Sequence, residues 1–276
     1  MPRKSKKAAA IAAIEPVRAK FNSIASMIDW LALTPRCNGA NNASETGNDQ
    51  FTGTATYGDA VKLAIGGWHE GARQVQAGVA SASANAGRKI IARRVAYRRD
   101  VVGDECDVAR FCAGDPECMV TQRRTINKGR TVRVVKVGVS ASWKVTSGAL
   151  MRYAVAVAGA VQRMEQAGQR VELWACVSAH DSQQREIHTL EVKIKSADSR
   201  LHMAGIAFAT HPAMQRRFAF AHRERCAVWP ITNDGYGRAT RSTVGREDYL
   251  AGAGYFVADA DVDAEIARIS KEGGVK

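Results

Sequence analysis

No run in this 276-residue chain approaches the ~20 consecutive apolar residues of a membrane-spanning helix. The start, Met1–Lys20, is basic, but its apolar stretch (Ala8–Ile14) is short and meets Glu15, so it does not read as a secretory leader. The phosphate-cradling Gly-x-x-x-x-Gly-Lys-Ser/Thr loop and Gly-x-Gly-x-x-Gly are both missing, which removes the usual entries to nucleotide hydrolysis and dinucleotide chemistry. His-Glu-x-x-His, His-x-Glu with Cys-x-x-Cys, and the Gly-x-Ser-x-Gly elbow are missing as well. Six cysteines form no close, even framework, so free thiols in a reducing compartment are expected. No internal repeat is visible. Aromatic residues amount to only 7%, and near the basic clusters Trp68 and Tyr97 alone offer base stacking.

Acid is the scarcer charge, with 27 Asp+Glu against 40 Lys+Arg, a formal +13. A sequence pI near 9.7 favours polyanionic partners, nucleic acid first and an anionic surface second. The excess is clustered. Arg3, Lys4, Lys6 and Lys7 lie in a basic arm, residues 1–15, and with Arg18 and Lys20 they oppose only Glu15 in the first twenty residues. A second cluster holds Arg88, Lys89, Arg93, Arg94, Arg98 and Arg99, and a third Arg123, Arg124, Lys128, Arg130 and Arg133. Charge without interleaved aromatics points to phosphate contact rather than base readout, hence to non-specific double-stranded DNA. With 46% hydrophobic residues the chain is globular and long enough for one large domain or two small ones.

Patterning locates the elements. Pro16–Leu33 has helical spacing, and Thr34–Gln50 is polar with almost nothing to bury, a loop or linker. Tyr57–Gln76 reads as a helix interrupted at Gly66-Gly67, Ala77–Asn85 is weakly patterned, and Ile90–Tyr97 is either a strand or a short basic helix. Thr131–Val139 is β-branched and apolar, a buried strand. Ser147–Gln166 is a long amphipathic helix that Ala167-Gly168 ends, and Arg170–Val177 is a second strand, together one βαβ crossover. His188–Lys195 alternates, as a half-exposed edge strand would. Ser199–Thr210 and Pro212–Phe218 read as helices, Ala219–Val228 as a strand, and Val262–Lys271 as a closing helix. The expected divisions are 1–50 (arm, helix, linker), 51–130 (α-rich), 131–240 (α/β core) and 241–276.

Two side-chain groups can carry chemistry. Asp104, Glu105, Asp107, Asp115 and Glu117 crowd an otherwise basic half-chain, either as carboxylates for metal or acid–base work or as turn and cap residues. Cys106, Cys112 and Cys118 are evenly spaced but lack the close pairs of structural zinc sites, so buried free thiols are expected.

The strand ending Gly138-Val139-Ser140-Ala141-Ser142, the helix Ser147–Gln166 and the segment Gly168-Gln169-Arg170-Val171-Glu172-Leu173 resemble a von Willebrand factor A-type domain. That family's strand ends in Asp-x-Ser-x-Ser and holds a divalent cation. Here Gly138 stands at the aspartate's place, and hydroxyls alone bind a hard cation poorly. The resemblance thus implies an open, Rossmann-like α/β sheet with flanking helices, after a helical N-terminal region. It implies no cofactor, with Ser140, Ser142 and Thr146 as the weak candidates for a divalent metal. Because open α/β sheets present ligands at the carboxyl ends of their strands, the same three residues are the candidates for docking a partner protein.

Longer phrases widen the resemblance. Phe51-Thr52-Gly53-Thr54, Tyr57-Gly58-Asp59-Ala60, Gly67-Trp68-His69-Glu70-Gly71, Asp100-Val101-Val102-Gly103-Asp104, Gly114-Asp115-Pro116-Glu117-Cys118-Met119 and His211-Pro212-Ala213-Met214 look like a family of uncharacterised proteins encoded by tailed bacteriophages and related mobile elements. This resemblance implies a host bacterium's cytoplasm, or a virion, as the setting. The expectation is therefore a non-enzymatic phage protein that binds DNA through its basic clusters. The alternatives are a module docking a phage or host protein at Ser140–Ser142, and a metal-dependent enzyme using Asp104, Asp107, Asp115 or Glu117.

Overall fold

The computed structural model describes residues 15–37, 42–85, 96–103, 105–123, 132–180, 186–226, 238–239, 250 and 255–272. Strand β1 (Glu15–Phe21) leads into helix α1 (Ile24–Leu33), and the short α2 (Asp49–Thr52) precedes α3 (Tyr57–Gly66) and α4 (His69–Asn85). Next come β2 (Ala96–Asp100), β3 (Glu105–Cys106), α5 (Val108–Cys112) and β4 (Met119–Arg123). Strands β5 (Val132–Gly138) and β6 (Ser140–Ala141) precede α6 (Ser147–Gln166); β7 (Arg170–His180) and β8 (Glu186–Lys195) precede α7 (Met203–Thr210). A π-helical turn (Met214–Ala219) continues into α8 (Phe220–Cys226), and β9 (Arg238–Ala239), β10 (Tyr255–Phe256) and α9 (Asp259–Glu272) follow. The chain divides into two compact units, Met1–Asn85 with Thr131–Lys276, and Ala86–Arg130.

The first unit is α/β, built on a five-stranded mixed sheet of order β1-β8-β7-β5, with β9 added to β7. Strands β5 and β7 pair in parallel from Val132↔Arg170 to Gly138↔Cys176, joined by α6 as the crossover predicts. Helix α6 keeps its expected bounds because both ends are specified. The Thr146 hydroxyl accepts the Ala149 N–H as N-cap. Gly168, past the other end, adopts a φ of 90° that favours glycine. Leu150, Tyr153, Ala154, Val157, Ala158, Val161 and Met164 are all buried, and the helix packs on β7, α4, α7 and α9. Gly66-Gly67 separates α3 from α4, as expected; α4 then continues through Ala77–Asn85, where the pattern is weak. Among the described residues no helix is long and apolar enough to cross a membrane.

Three expectations are corrected. Pro16–Phe21 is strand rather than helix: β1 pairs in parallel with β8 along seven residues, and this ladder outweighs a helical spacing that Val17, Phe21, Ile24 and Ile28 also satisfy. Ser23 then opens α1 with a reciprocal cap, its hydroxyl accepting the Ser26 N–H while the Ser26 hydroxyl accepts the Ser23 N–H. Strand β8 is not an edge; it lies between β1 and β7. Its alternation is real, but its polar side meets partners instead of water. Glu191 accepts from Lys136 at 3.1 Å, Thr189 and Ser178 share a hydrogen bond, and Lys20 and Lys193 flank the buried Trp174 ring at 4.2 and 5.0 Å. Residues 220–226, expected as part of a strand, are helical, and their polar groups serve the interior. Glu224 accepts from the N–H and hydroxyl of Ser44, and Arg225 donates to the carbonyls of Leu31 and Thr34.

The polar linker also differs from expectation, because Ser44, and Thr52 and Thr54 just beyond it, are buried around Arg217. This guanidinium, with no exposed surface, donates to the carbonyls of Thr54 (2.6 Å), Gly47 (3.0 Å) and Ala55 (3.1 Å). A loop without apolar content is thus held by charge-assisted hydrogen bonds. Two residues earlier in the same π-helical segment, Gln215 accepts the Ala141 N–H at 2.8 Å and fixes the end of β6.

The second unit is an antiparallel three-stranded sheet of order β2-β4-β3. Its register runs from Ala96↔Arg123 to Asp100↔Met119, with Cys106 opposite Met119 on the other side. Of Ile90–Tyr97, left open between strand and helix, Ala96 and Tyr97 are strand, and residues 90–95 lie outside the described residues.

Candidate functional site

At the carboxyl end of β5 the chain turns through the loop that the sequence singles out. Ser140 is buried, and its hydroxyl accepts the Ser178 N–H at 2.7 Å, bracing β6 against β7. Its backbone pairs in parallel with Tyr255 of β10, and Ser142 N–H donates to the Phe256 carbonyl at 2.8 Å. Thr146 caps α6 and is itself gripped by Asp259, which accepts from the Thr146 N–H and hydroxyl. Those two hydrogen bonds, with help from Arg152, hold the Asp259 carboxyl below its usual range. The three predicted residues are thus brought to one loop, and the chain's own C-terminal segment lies against it. Asp259 carries no sequence signal, because the apolar pattern of the closing helix begins only at Val262, whereas the helix itself begins at Asp259.

Trp143, in the same loop, is 73% exposed, and Lys144 Nζ lies 5.8 Å from its ring. A large aromatic ring held in water at a strand-end loop is what singles it out. Among the described residues no group of three His, Cys, Asp or Glu side chains is placed to hold a metal ion.

The second unit spans the second basic cluster and the third except Arg133. Arg98 and Arg99 lie on β2 and Arg123 on β4; Arg98 is partnered with Thr121 and Arg123 with Ala96, two register steps apart, and Arg99 is exposed. Arg3, Lys4, Lys6, Lys7, Arg93, Arg94, Arg124, Lys128 and Arg130 lie outside the described residues, as does Asp104. The acidic stretch serves turns and caps. Asp107 caps α5 by accepting the Arg110 N–H, and Asp115 accepts from the Arg110 guanidinium at 2.7 Å and from the Glu117 N–H at 3.0 Å. Cys106 and Cys112 are exposed and Cys118 half-buried, contrary to the expectation of buried thiols. Partial desolvation, then Cys118 and Asp107, raise the Cys106 thiol pKa.

Two histidines of the first unit are shifted by burial, the half-buried His211 and the buried His222. His211 packs edge-on to Trp68 with ring centres 4.4 Å apart, and burial lowers its pKa to about 4. His222 sits between Phe21 and Trp30 with Cys226 Sγ at 3.4 Å; burial, then His188 and Arg225, lower it to about 3. Burial pushes Cys226 up to about 11, so it is a thiol and not a thiolate nucleophile at neutral pH. Between Val177, His188, Leu190 and Phe220 there is a cavity of about 10 Å³, room for a single water and no substrate.

Comparison with curated proteins and with solved structures returns no match. Over residues 6–267 the chain matches the family described as a domain of unknown function, DUF7192, and it belongs to that family.

Proposed function

We propose that this chain is a non-enzymatic DNA-associating protein of a tailed bacteriophage, acting in the host cytoplasm or in the virion, and that its second unit is the DNA-contacting element. The observation that carries the reading is the pairing of β2 with β4, which sets Arg98, Arg99 and Arg123 on two adjacent strands. Their Ala96–Arg98 and Thr121–Arg123 end extends beyond β3 as a two-stranded ribbon. A β-ribbon is narrow enough to enter a major groove. In the sequence, Arg88, Lys89, Arg93 and Arg94 precede β2, and Arg124, Lys128 and Arg130 follow β4. That density of cations neutralises phosphates and releases counterions, the source of affinity that does not depend on sequence. The α/β core, in this reading, is a divergent von Willebrand A-type scaffold.

Fluorescence anisotropy with labelled duplex and single-stranded DNA at low salt tests the proposal, on the full chain and on a chain lacking residues 1–15. Binding of duplex by both chains is expected. Unchanged anisotropy at low salt would sink the reading.

Exposed Trp143 favours a second reading, in which the Ser140–Thr146 loop docks a phage or host protein. An aromatic anchor beside a lysine is the composition of an interface centre. Trp143→Ala should then remove a partner that pull-downs with the wild-type chain recover from infected cells; recovery of the same partners by both chains would refute it.

A further inference from the structure

Strand β3 ends on Cys106, and β4 begins just after Cys118. The register sets Cys106 opposite Met119, and Asp107 N–H donates to the Cys118 carbonyl at 2.7 Å, so the two cysteines are neighbours across the ladder. Of the neighbouring groups that raise the Cys106 thiol pKa, Cys118 acts most strongly and Cys112 most weakly. Cys106 is exposed and Cys118 half-buried, so a solvent reagent reaches the pair.

The surroundings give the pair a purpose. Among the residues of this unit whose burial is described, none of the apolar side chains is buried, and Val101, Val102, Val108 and Phe111 are well exposed. Units as small as Ala86–Arg130 that bury little apolar surface depend on a disulfide or a metal. No trio of ligating side chains is placed for a metal among the described residues, which leaves the thiol pair.

We propose that Cys106 and Cys118 are a redox-active thiol pair that closes residues 106–118 into a disulfide-bounded loop, with a low-molecular-weight disulfide such as oxidised glutathione as the oxidant. One protein thiolate attacks a sulfur of oxidised glutathione, breaks its S–S bond and expels a glutathione thiolate, which takes up a proton. The second protein thiolate attacks the mixed disulfide at the protein sulfur and releases the other glutathione thiol. Two protein thiols lose two electrons and two protons, and the oxidant gains both. The proposal is independent of DNA binding.

The test is made on the full chain, reduced, desalted and exposed at pH 8.5 to stepped ratios of oxidised to reduced glutathione, then alkylated and digested with trypsin. The raised Cys106 pKa makes exchange faster at this pH than at neutrality. Cleavage after Arg99, Arg110 and Arg123 puts Cys106 on one peptide and Cys112 with Cys118 on the next. The expected product is these two peptides linked, lighter than their sum by two hydrogens, formed by wild type and by Cys112→Ser and lost in Cys106→Ser and Cys118→Ser. Glutathione adducts without the link would overturn the proposal, as would a link that survives Cys118→Ser. So would zinc found by elemental analysis at one ion per purified chain and lost in Cys106→Ser.

Discussion

The Asp259 carboxylate accepts both hydrogen bonds that Thr146 has to offer, from its backbone N–H at 2.8 Å and from its hydroxyl at 2.7 Å. Thr146 in turn caps α6, so a residue at the start of α9 helps to set the start of the helix that fills the core. The expected consequence of Thr146→Ala is a loss of about 0.5–2 kcal/mol, the usual worth of an N-cap, while Thr146→Ser retains most of it. Urea unfolding of the three chains measures this. Amide exchange at Ser142 and Phe256 should quicken in Asp259→Ala, because α9 also holds the strip that pairs with β6.

Helices α4 and α6 approach closely at one point. A Cβ built on Gly78 would lie 2.7 Å from Val155 Cγ1, and valine has no flexible end to move aside. Gly78→Ala gains up to about 1 kcal/mol of helix propensity, but overpacking costs about 1–3 kcal/mol, so a net loss is expected. Pairing it with Val155→Ala should recover stability, with a coupling of about 0.5–3 kcal/mol in the double-mutant cycle. Strict additivity would show that the helices adjust without the valine.

Acid should weaken the fold through His211 and His222. An unfolded histidine binds a proton near pH 6.5, whereas folded His211 and His222 stay neutral down to about 4 and about 3. The unfolded chain therefore binds more protons below 6.5. Stability is full above that pH and falls as pH drops toward 4 and then 3, by about 2 kcal/mol per histidine at pH 5. His211→Asn leaves an acceptor for the Ala213 N–H and should remove about half of this dependence. A wild-type melting temperature that is flat between pH 7 and 5 would contradict the burial of both rings.

Arg217→Met should strand the Thr54 carbonyl in the interior and release the part-buried carbonyls of Gly47 and Ala55. The one fully buried carbonyl left unsatisfied costs about 1–3 kcal/mol, and protease nicking within residues 42–56 of the folded chain should appear.

Legibility followed the source of order. Helix α6 and strand β5 could be read from the sequence because periodicity, β-branching, a threonine cap and a following glycine agree there. Strand β1 was obscured because Val17, Phe21 and Ile24 fit two periods at once, and only pairing with β8 decides between them. The position of β8 was hidden by its own alternation: Glu191 and Lys195 read as solvent-facing, yet each is buried against a partner from another element, Lys136 and Glu165. The role of Arg217 was invisible for the same reason, since its partners are backbone carbonyls more than 150 residues away in sequence. Of the candidate site, the serine–threonine loop and the basic clusters were legible as composition, whereas Asp259 beside Thr146 depends on a long-range contact.

The salt dependence of duplex binding, compared between the wild-type chain and the triple variant Arg98→Gln, Arg99→Gln, Arg123→Gln, tests the central claim most directly. If the ribbon contacts phosphates, log K falls steeply with log salt in the wild type, and the slope shrinks by about 2–3 in the variant, roughly one per lost cation. Equal slopes for the two chains would contradict the assignment of the DNA-contacting element to β2 and β4.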